Sequence, residues 1–267
     1  MAFAQAQRRP IAGAVATLGV SERVAFLRRT YAHLGVALIA FAALTAGFMR
    51  FGTETSLKFS MWAMRGQWTW IAVIGLFMLV GWGAERLARS EASRGAQYAG
   101  LGLMVVAEAV ILQPLLWIVM LKFGGKEMFL VEATAAGKGV AVNFSAAGPA
   151  MAVIGQAAVI TIAIFVGLTA TVFITKKDFS FMRGILSILT LGALGVILAS
   201  AIFGFSLGAV FCGAMVALMG GYILFQTSMI MRDFPPSYHV AAALMLFSTI
   251  ATLFWYVLQL IMSLKND

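Results

Sequence analysis

Glu108 stands inside the apolar run VVAEAVILQPLL at residues 105–116, where no other side chain is charged. A carboxyl group at bilayer depth is costly, so such a residue faces a bundle interior or a water-filled cavity. There it serves either as a proton or cation group or as a protonated carboxyl hydrogen-bonded to a neighbouring helix. Six residues on, Pro114 removes a backbone donor and leaves the Val110 carbonyl without its helical partner. That carbonyl and Gln113 either line the cavity of Glu108 or mark a simple kink. Two further polar groups interrupt apolar sequence near the C-terminus: Gln226, Thr227 and Ser228, then Ser248, Thr249 and Thr252. None of these six titrates; their chemistry is hydrogen bonding between helices. Glu108, Gln113, Gln226, Ser248 and Thr249 are therefore the candidate pore or gate residues.

Catalytic signatures are missing. The chain has no His-Glu-x-x-His, no Gly-x-Ser-x-Gly with a partnered His and no phosphate-binding P-loop. An enzyme and a resident cofactor are not expected. The last apolar stretch has no lysine before Lys265, which excludes a retinal Schiff base there. The 16 methionines come without paired Cys or His and read as soft packing. Cys212, the single cysteine, cannot form an intrachain disulfide and reads as a small packing residue.

The elements that must position these residues are membrane helices. Hydrophobic residues make up 62% of 267 positions and charged residues 11%, against about 25% charged in a soluble domain. A bilayer core takes ~20 apolar residues per helix, and backbone polar groups in lipid must be bonded internally. Seven spans follow, at about 31–49, 68–84, 97–121, 149–175, 184–203, 207–231 and 240–264. The fold class is an all-α membrane bundle in one domain, 31–264. Residues 122–148 form a long loop on the non-cytoplasmic side. The last two spans make a hairpin whose corner holds Pro235 and Pro236. Trp68, Trp70 and Trp82 sit near the ends of the second span, like an aromatic belt.

The net charge of +9 does not indicate nucleic acid, because the basic residues lie in the N-terminal segment and the short loops. Residues 1–30 form a basic, partly amphipathic lead-in suited to anionic headgroups. Twelve of the 19 Lys and Arg residues fall on the N-terminal side of the spans, which puts the N-terminus in the cytoplasm. The short tails and the lack of a cleavable signal point to a bacterial inner membrane.

The stretch TATVFITKKDFSFMRGIL at 169–186 resembles the Bax inhibitor-1 family, in which a span ends in a lysine pair followed by Asp, a hydrophobic residue, Ser and Phe. Lys176, Lys177, Asp178, Phe179, Ser180 and Phe181 match that pattern. ASAIFGFS at 199–206 is similar to the family's short turn, GGYILFQTSMIM at 220–231 to its sixth span and AALMLFSTIATLF at 242–254 to its seventh. The resemblance covers residues 97 to the C-terminus well and the first two spans loosely. It implies seven helices with the last surrounded by the other six. It also implies a pH-sensitive calcium leak, modulation of cell death in eukaryotes, or partnership with a membrane-bound AAA protease in some bacteria. The family carries an aspartate in each of spans six and seven, a pair that shares a proton. Here the matching positions hold Gln226 and Thr249. A Gln/Thr pair gives neither a pH switch nor the calcium affinity of two carboxylates. The expectation is a non-enzymatic partner or modulator of a membrane complex. The alternatives are a cation or proton leak that uses Glu108, and a small-solute transporter.

The remaining polar residues receive structural readings. Gln156 is expected in an interhelical hydrogen bond. Asp178 is expected to cap the following helix or to pair with Arg183, and Asp233 to pair with Arg232. His33 and His239 are read as isolated interfacial histidines. Asn143, Phe144 and Ser145 fit a glycosylation acceptor pattern.

Overall fold

The computed structural model describes residues 14–17, 19–91, 93–125, 129–134 and 137–265. The first 13 residues of the basic N-terminal segment lie outside the described residues. Helix α1 runs Val20–Arg50, α2 Thr53–Ala63, α3 Gln67–Ala88, α4 Arg94–Ile111 and α5 Gln113–Phe123. Then come strands β1 (Phe129–Thr134) and β2 (Gly137–Val142), α6 (Gly148–Thr175), α7 (Met182–Phe203), α8 (Ala209–Arg232) and α9 (His239–Leu264). Among the described residues seven spans are long and apolar enough to cross a membrane, with α4 and α5 together forming the third.

Three features differ from the sequence expectation. Helix α1 begins eleven residues before the apolar stretch, because the Arg-rich lead-in continues the same helix. The segment between the first two spans folds as α2, whose Ser56, Ser60 and Ala63 are buried. The 122–148 connection carries an antiparallel hairpin pairing Phe129 with Val142 through Thr134 with Gly137.

The α4–α5 break follows from Pro114. Leu112 alone separates the two helices; its dihedrals stay in the helical region at φ −71° and ψ −23°, and its N–H donates to the Glu108 carbonyl at 3.1 Å. The Gln113 side-chain amide donates to the Ala109 carbonyl at 2.9 Å. That donor goes to the carbonyl one residue before Val110, whose helical partner the proline ring removes.

Helix α9 packs against α1, α3, α4, α6 and α8, and carries the longest series of buried residues of any helix described. It is the central helix, enclosed by five of the other six spans. Helix α7 lies outside this ring, against α8 and α3, and buries only Leu186. Its large apolar side chains, Ile188, Leu191 and Phe203 among them, face outward, as suits a helix bathed in lipid.

Close backbone approach is concentrated at one glycine. A Cβ on Gly100 of α4 would collide with the Ala84 carbonyl oxygen and sit 2.7 Å from the Ala88 amide nitrogen of α3. Ala84 and Ala88 are themselves fully buried, so three small residues let two helices touch main chain to main chain. On α8, a Cβ at Gly221 would meet Leu186 Cδ2 at 2.9 Å, whereas Gly192, Gly195 and Gly213 have open space. Tight packing is thus carried by Gly100, Gly220 and Gly221, not by the glycines of α7. Gly100→Ala should lower stability by ~1–3 kcal/mol through forced separation of α3 and α4. Gly192→Ala should stay within ~0.5 kcal/mol of the native protein. Thermal unfolding in one detergent, with both variants beside the native chain, checks the contrast.

Candidate functional site

Four of the five polar residues expected to carry function, Glu108, Gln226, Ser248 and Thr249, meet on one turn of α9. Glu108 on α4 is 6% exposed, and its Oε1 accepts a hydrogen bond from Ser248 Oγ at 3.1 Å. The next residue, Thr249, donates its hydroxyl to Gln226 Oε1 on α8 at 2.9 Å, with the Met245 carbonyl 3.1 Å away as an acceptor within its own helix. Gln226 and Thr249 are each 7% exposed. Successive residues on a helix point about 100° apart, so neighbours in sequence reach different partners. The central helix is therefore tied to α4 by one side chain and to α8 by the next.

Gln113 belongs to a separate network. Its Oε1 accepts from Ser56 Oγ at 2.7 Å, and that hydroxyl accepts from the Trp117 indole at 2.9 Å. Ser60 in turn donates to the Ser56 carbonyl at 2.8 Å. These buried groups join α2 to α5. Gln113 does not line a shared site with Glu108; it staples the helix break to α2. Gln156, expected in an interhelical hydrogen bond, is exposed on α6 and has no such bond among the described residues.

The lysine-pair segment is strapped to the end of α8. Lys176 closes α6 in the left-handed conformation at φ 51°. Ser228 on α8 accepts from the Phe179 N–H at 3.1 Å and donates to the Lys177 carbonyl at 3.4 Å. Asp178 accepts from the Ser180 N–H at 2.9 Å and pairs with Arg232, at the end of α8, at 2.6 Å. The expected partner Arg183 is not the one used. Arg232, expected to pair with its neighbour Asp233, reaches across to Asp178 because the α8 terminus abuts this loop. Phe181 rings lie 6.5 Å from Phe179. Burial would raise the Asp178 pKa, but the Ser180 hydrogen bonds and the Arg232 guanidinium outweigh it and hold the carboxyl below its ordinary value.

One cluster was not anticipated. The chain has two histidines, and their rings meet at 5.1 Å between centroids. His33 Nδ1 lies 2.6 Å from the Arg29 carbonyl, which must accept, so Nδ1 carries the proton. In the neutral ring Nε2 then accepts from the Tyr98 hydroxyl at 3.3 Å. The two residues stand 206 positions apart, and nothing in their local sequence marks the meeting. The only available signal was that both were placed at the same end of spans that pack together.

Cys212 is buried and its thiol faces Gln259 Oε1 at 3.7 Å, as a packing residue would. Asn143 Oδ1 accepts from the Ser145 N–H at 3.1 Å and so caps the short turn before α6. Among the described residues no three His, Cys, Asp or Glu side chains come together as a metal site.

A seven-helix membrane bundle with a buried polar turn on its central helix is the class these features define. The family model described as "Inhibitor of apoptosis-promoting Bax1" matches residues 128–266, and the chain belongs to the Bax inhibitor-1 family. It is 28% identical over 258 residues to Bax inhibitor 1 of Schizosaccharomyces pombe, covering 95% of this chain and 82% of that protein. An uncharacterised membrane protein of Vibrio cholerae is 32% identical over 135 residues, 48% of this chain and 58% of that one. An uncharacterised protein of Pseudomonas aeruginosa is 32% identical over 114 residues, 40% of this chain and 49% of that one. No solved structure matches.

Two predictions follow from these contacts. Thr249→Val leaves a buried amide of Gln226 unpaired and should cost ~1–3 kcal/mol, whereas Gln226→Leu with Thr249→Val removes both partners and should cost less than the two single changes together. A double-mutant cycle on unfolding in detergent measures the difference. For Asp178 the folded carboxyl titrates below the unfolded one, so its contribution is present above the unfolded pKa of ~3.9 and is lost as pH falls through the folded value. Being partly exposed, the ion pair contributes under ~1 kcal/mol. Asp178→Asn should remove that acid-side loss, read as a flatter melting-temperature profile below about pH 5.

Proposed function

We propose that this chain is a non-enzymatic membrane protein that modulates a partner complex in the membrane, with a membrane-bound AAA protease as the kind of partner intended. The observation that carries the reading is the Thr249–Gln226 hydrogen bond of 2.9 Å. It stands where the resemblance puts the family's aspartate pair, and it joins α8 to α9 without a titrating group. A neutral contact of this kind stays formed across the pH range in which paired carboxylates would change state. With two neutral oxygens in place of two carboxylates, the turn has little affinity for calcium. The bundle then acts as a scaffold whose outward surfaces, α7 foremost, meet a partner. The distribution of Lys and Arg supports an N-terminus in the cytoplasm, and the two bacterial relatives support a bacterial inner membrane.

The Glu108–Ser248 contact favours a second reading, a proton or cation leak in which Glu108 replaces the aspartate pair. A buried carboxyl tied to the central helix by one hydroxyl is placed to release that helix when its charge changes.

Calcium flux into liposomes carrying the purified protein, at about pH 6 and about pH 8, separates the two. The scaffold reading expects no native flux, and pH-dependent flux once Gln226→Asp and Thr249→Asp restore the carboxylates. Mild-detergent capture of a membrane complex by the native chain would then support it. Native flux that Glu108→Gln alters would overturn it in favour of the leak.

A further inference from the structure

We propose that Arg29, His33, Arg94, Tyr98 and His239 form a binding site for the phosphate of an anionic phospholipid headgroup at the end of α1, α4 and α9. The geometry begins with the two imidazoles. His33 and His239 make a half-buried floor, with ring centroids 5.1 Å apart. Tyr98 stacks on His33 at 5.5 Å with an interplanar angle of 25° and presents an exposed hydroxyl. Arg29 and Arg94 are exposed and close enough for their charges to act on His239.

The charge at this corner is uncompensated. Neither Arg29 nor Arg94 takes part in an ion pair among the described residues. Glu91 accepts the Tyr238 hydroxyl at 2.6 Å, and Arg89 is paired with Glu85. His239 Nδ1 makes no hydrogen bond; the Pro236 carbonyl lies near it, outside hydrogen-bond geometry. Guanidinium groups offer paired donors that match phosphate oxygens. The side chains facing the imidazoles are Arg29, Arg94 and the neutral Tyr98, so the fixed positive charge of the site is that of the two arginines.

Position selects the lipid. Helix α9 starts at His239 after the proline corner, so the cluster lies at a helix end, the level of headgroups. Further along α1, three residues from His33, Val36 is an exposed apolar side chain, suited to an acyl chain beneath a bound headgroup. Basic side chains at such a level attract anionic lipid.

The test is lipid retention by the full-length protein in neutral detergent, read by native mass spectrometry, with phosphatidylglycerol and phosphatidylcholine as competing probes. At about pH 6 phosphatidylglycerol should be retained roughly tenfold over phosphatidylcholine, and Arg94→Gln should cut that preference roughly fivefold. Arg94→Lys should keep most of it. Because Arg94 is exposed, its variants test the site even if the histidine pair is needed for folding. Equal retention of the two lipids by the native protein would overturn the proposal, as would a preference that Arg94→Gln leaves intact. Displacement of phosphatidylglycerol by millimolar inorganic phosphate would overturn the lipid assignment and leave a site for a soluble phosphate.

Discussion

Ser248 and Thr249 hold α9 to two different helices through hydroxyls one residue apart. Inside a bilayer no water is available to replace either bond, so the polar groups of the central helix must find partners on its neighbours. That requirement fixes the rotation of α9 about its own axis. Turning the helix by one residue would carry Ser248 away from Glu108 and expose a buried carboxyl to a partnerless apolar surface. The rotation in turn decides which apolar side chains of α9, such as Phe247, Leu253 and Leu258, fill the space between α1, α6 and α8. The same rule explains Gln113, whose amide answers a carbonyl beside the proline break, and Ser228, which answers the backbone of the lysine-pair loop.

Much of this was legible in the sequence, and for physical reasons. Apolar runs of spanning length leave few alternatives to helices, and most of the isolated amide and carboxyl groups in them face inward, Gln156 being the exception. Glu108, Gln226 and Thr249 do so. The resemblance aligned Gln226 with Thr249 before any geometry was available. Other features were not legible. Which hydroxyl meets which acceptor depends on helix rotation, so Ser248 rather than Gln113 proved to be the partner of Glu108. Asp178 chose Arg232 over Arg183 because chain separation says nothing about how the end of α8 lies against the next loop. Helix α2 was hidden by its polar residues Ser56 and Ser60; Ser56 finds its partners in α5, and Ser60 bonds back to the Ser56 carbonyl. His33 and His239 each read as unremarkable alone, and only the packing of α1 on α9 joins them.

The bundle is unevenly tight. Gly100 with Ala84 and Ala88 brings α3 and α4 to backbone contact, and interiors packed to that distance are stiff. Helix α7 has no such neighbour and owes its place to one buried leucine, to contacts with α8 such as the Thr190–Tyr222 hydroxyl pair at 2.8 Å, and to the membrane. The firm part of the molecule is therefore the group around α9, and α7 is an outrider whose position the rest of the fold constrains little.

Helix α1 is 31 residues long, or about 46 Å at ~1.5 Å per residue, while the hydrocarbon core of a bilayer is about 30 Å thick. If His33 marks the headgroup level, residues 20–32 stand beyond it, in a helix unbroken by proline. That stretch is a lever arm of about 20 Å, rigidly continuous with a transmembrane segment that touches α9. A sideways push on its outer end would be delivered inside the membrane as a tilt, without any loop to absorb the motion.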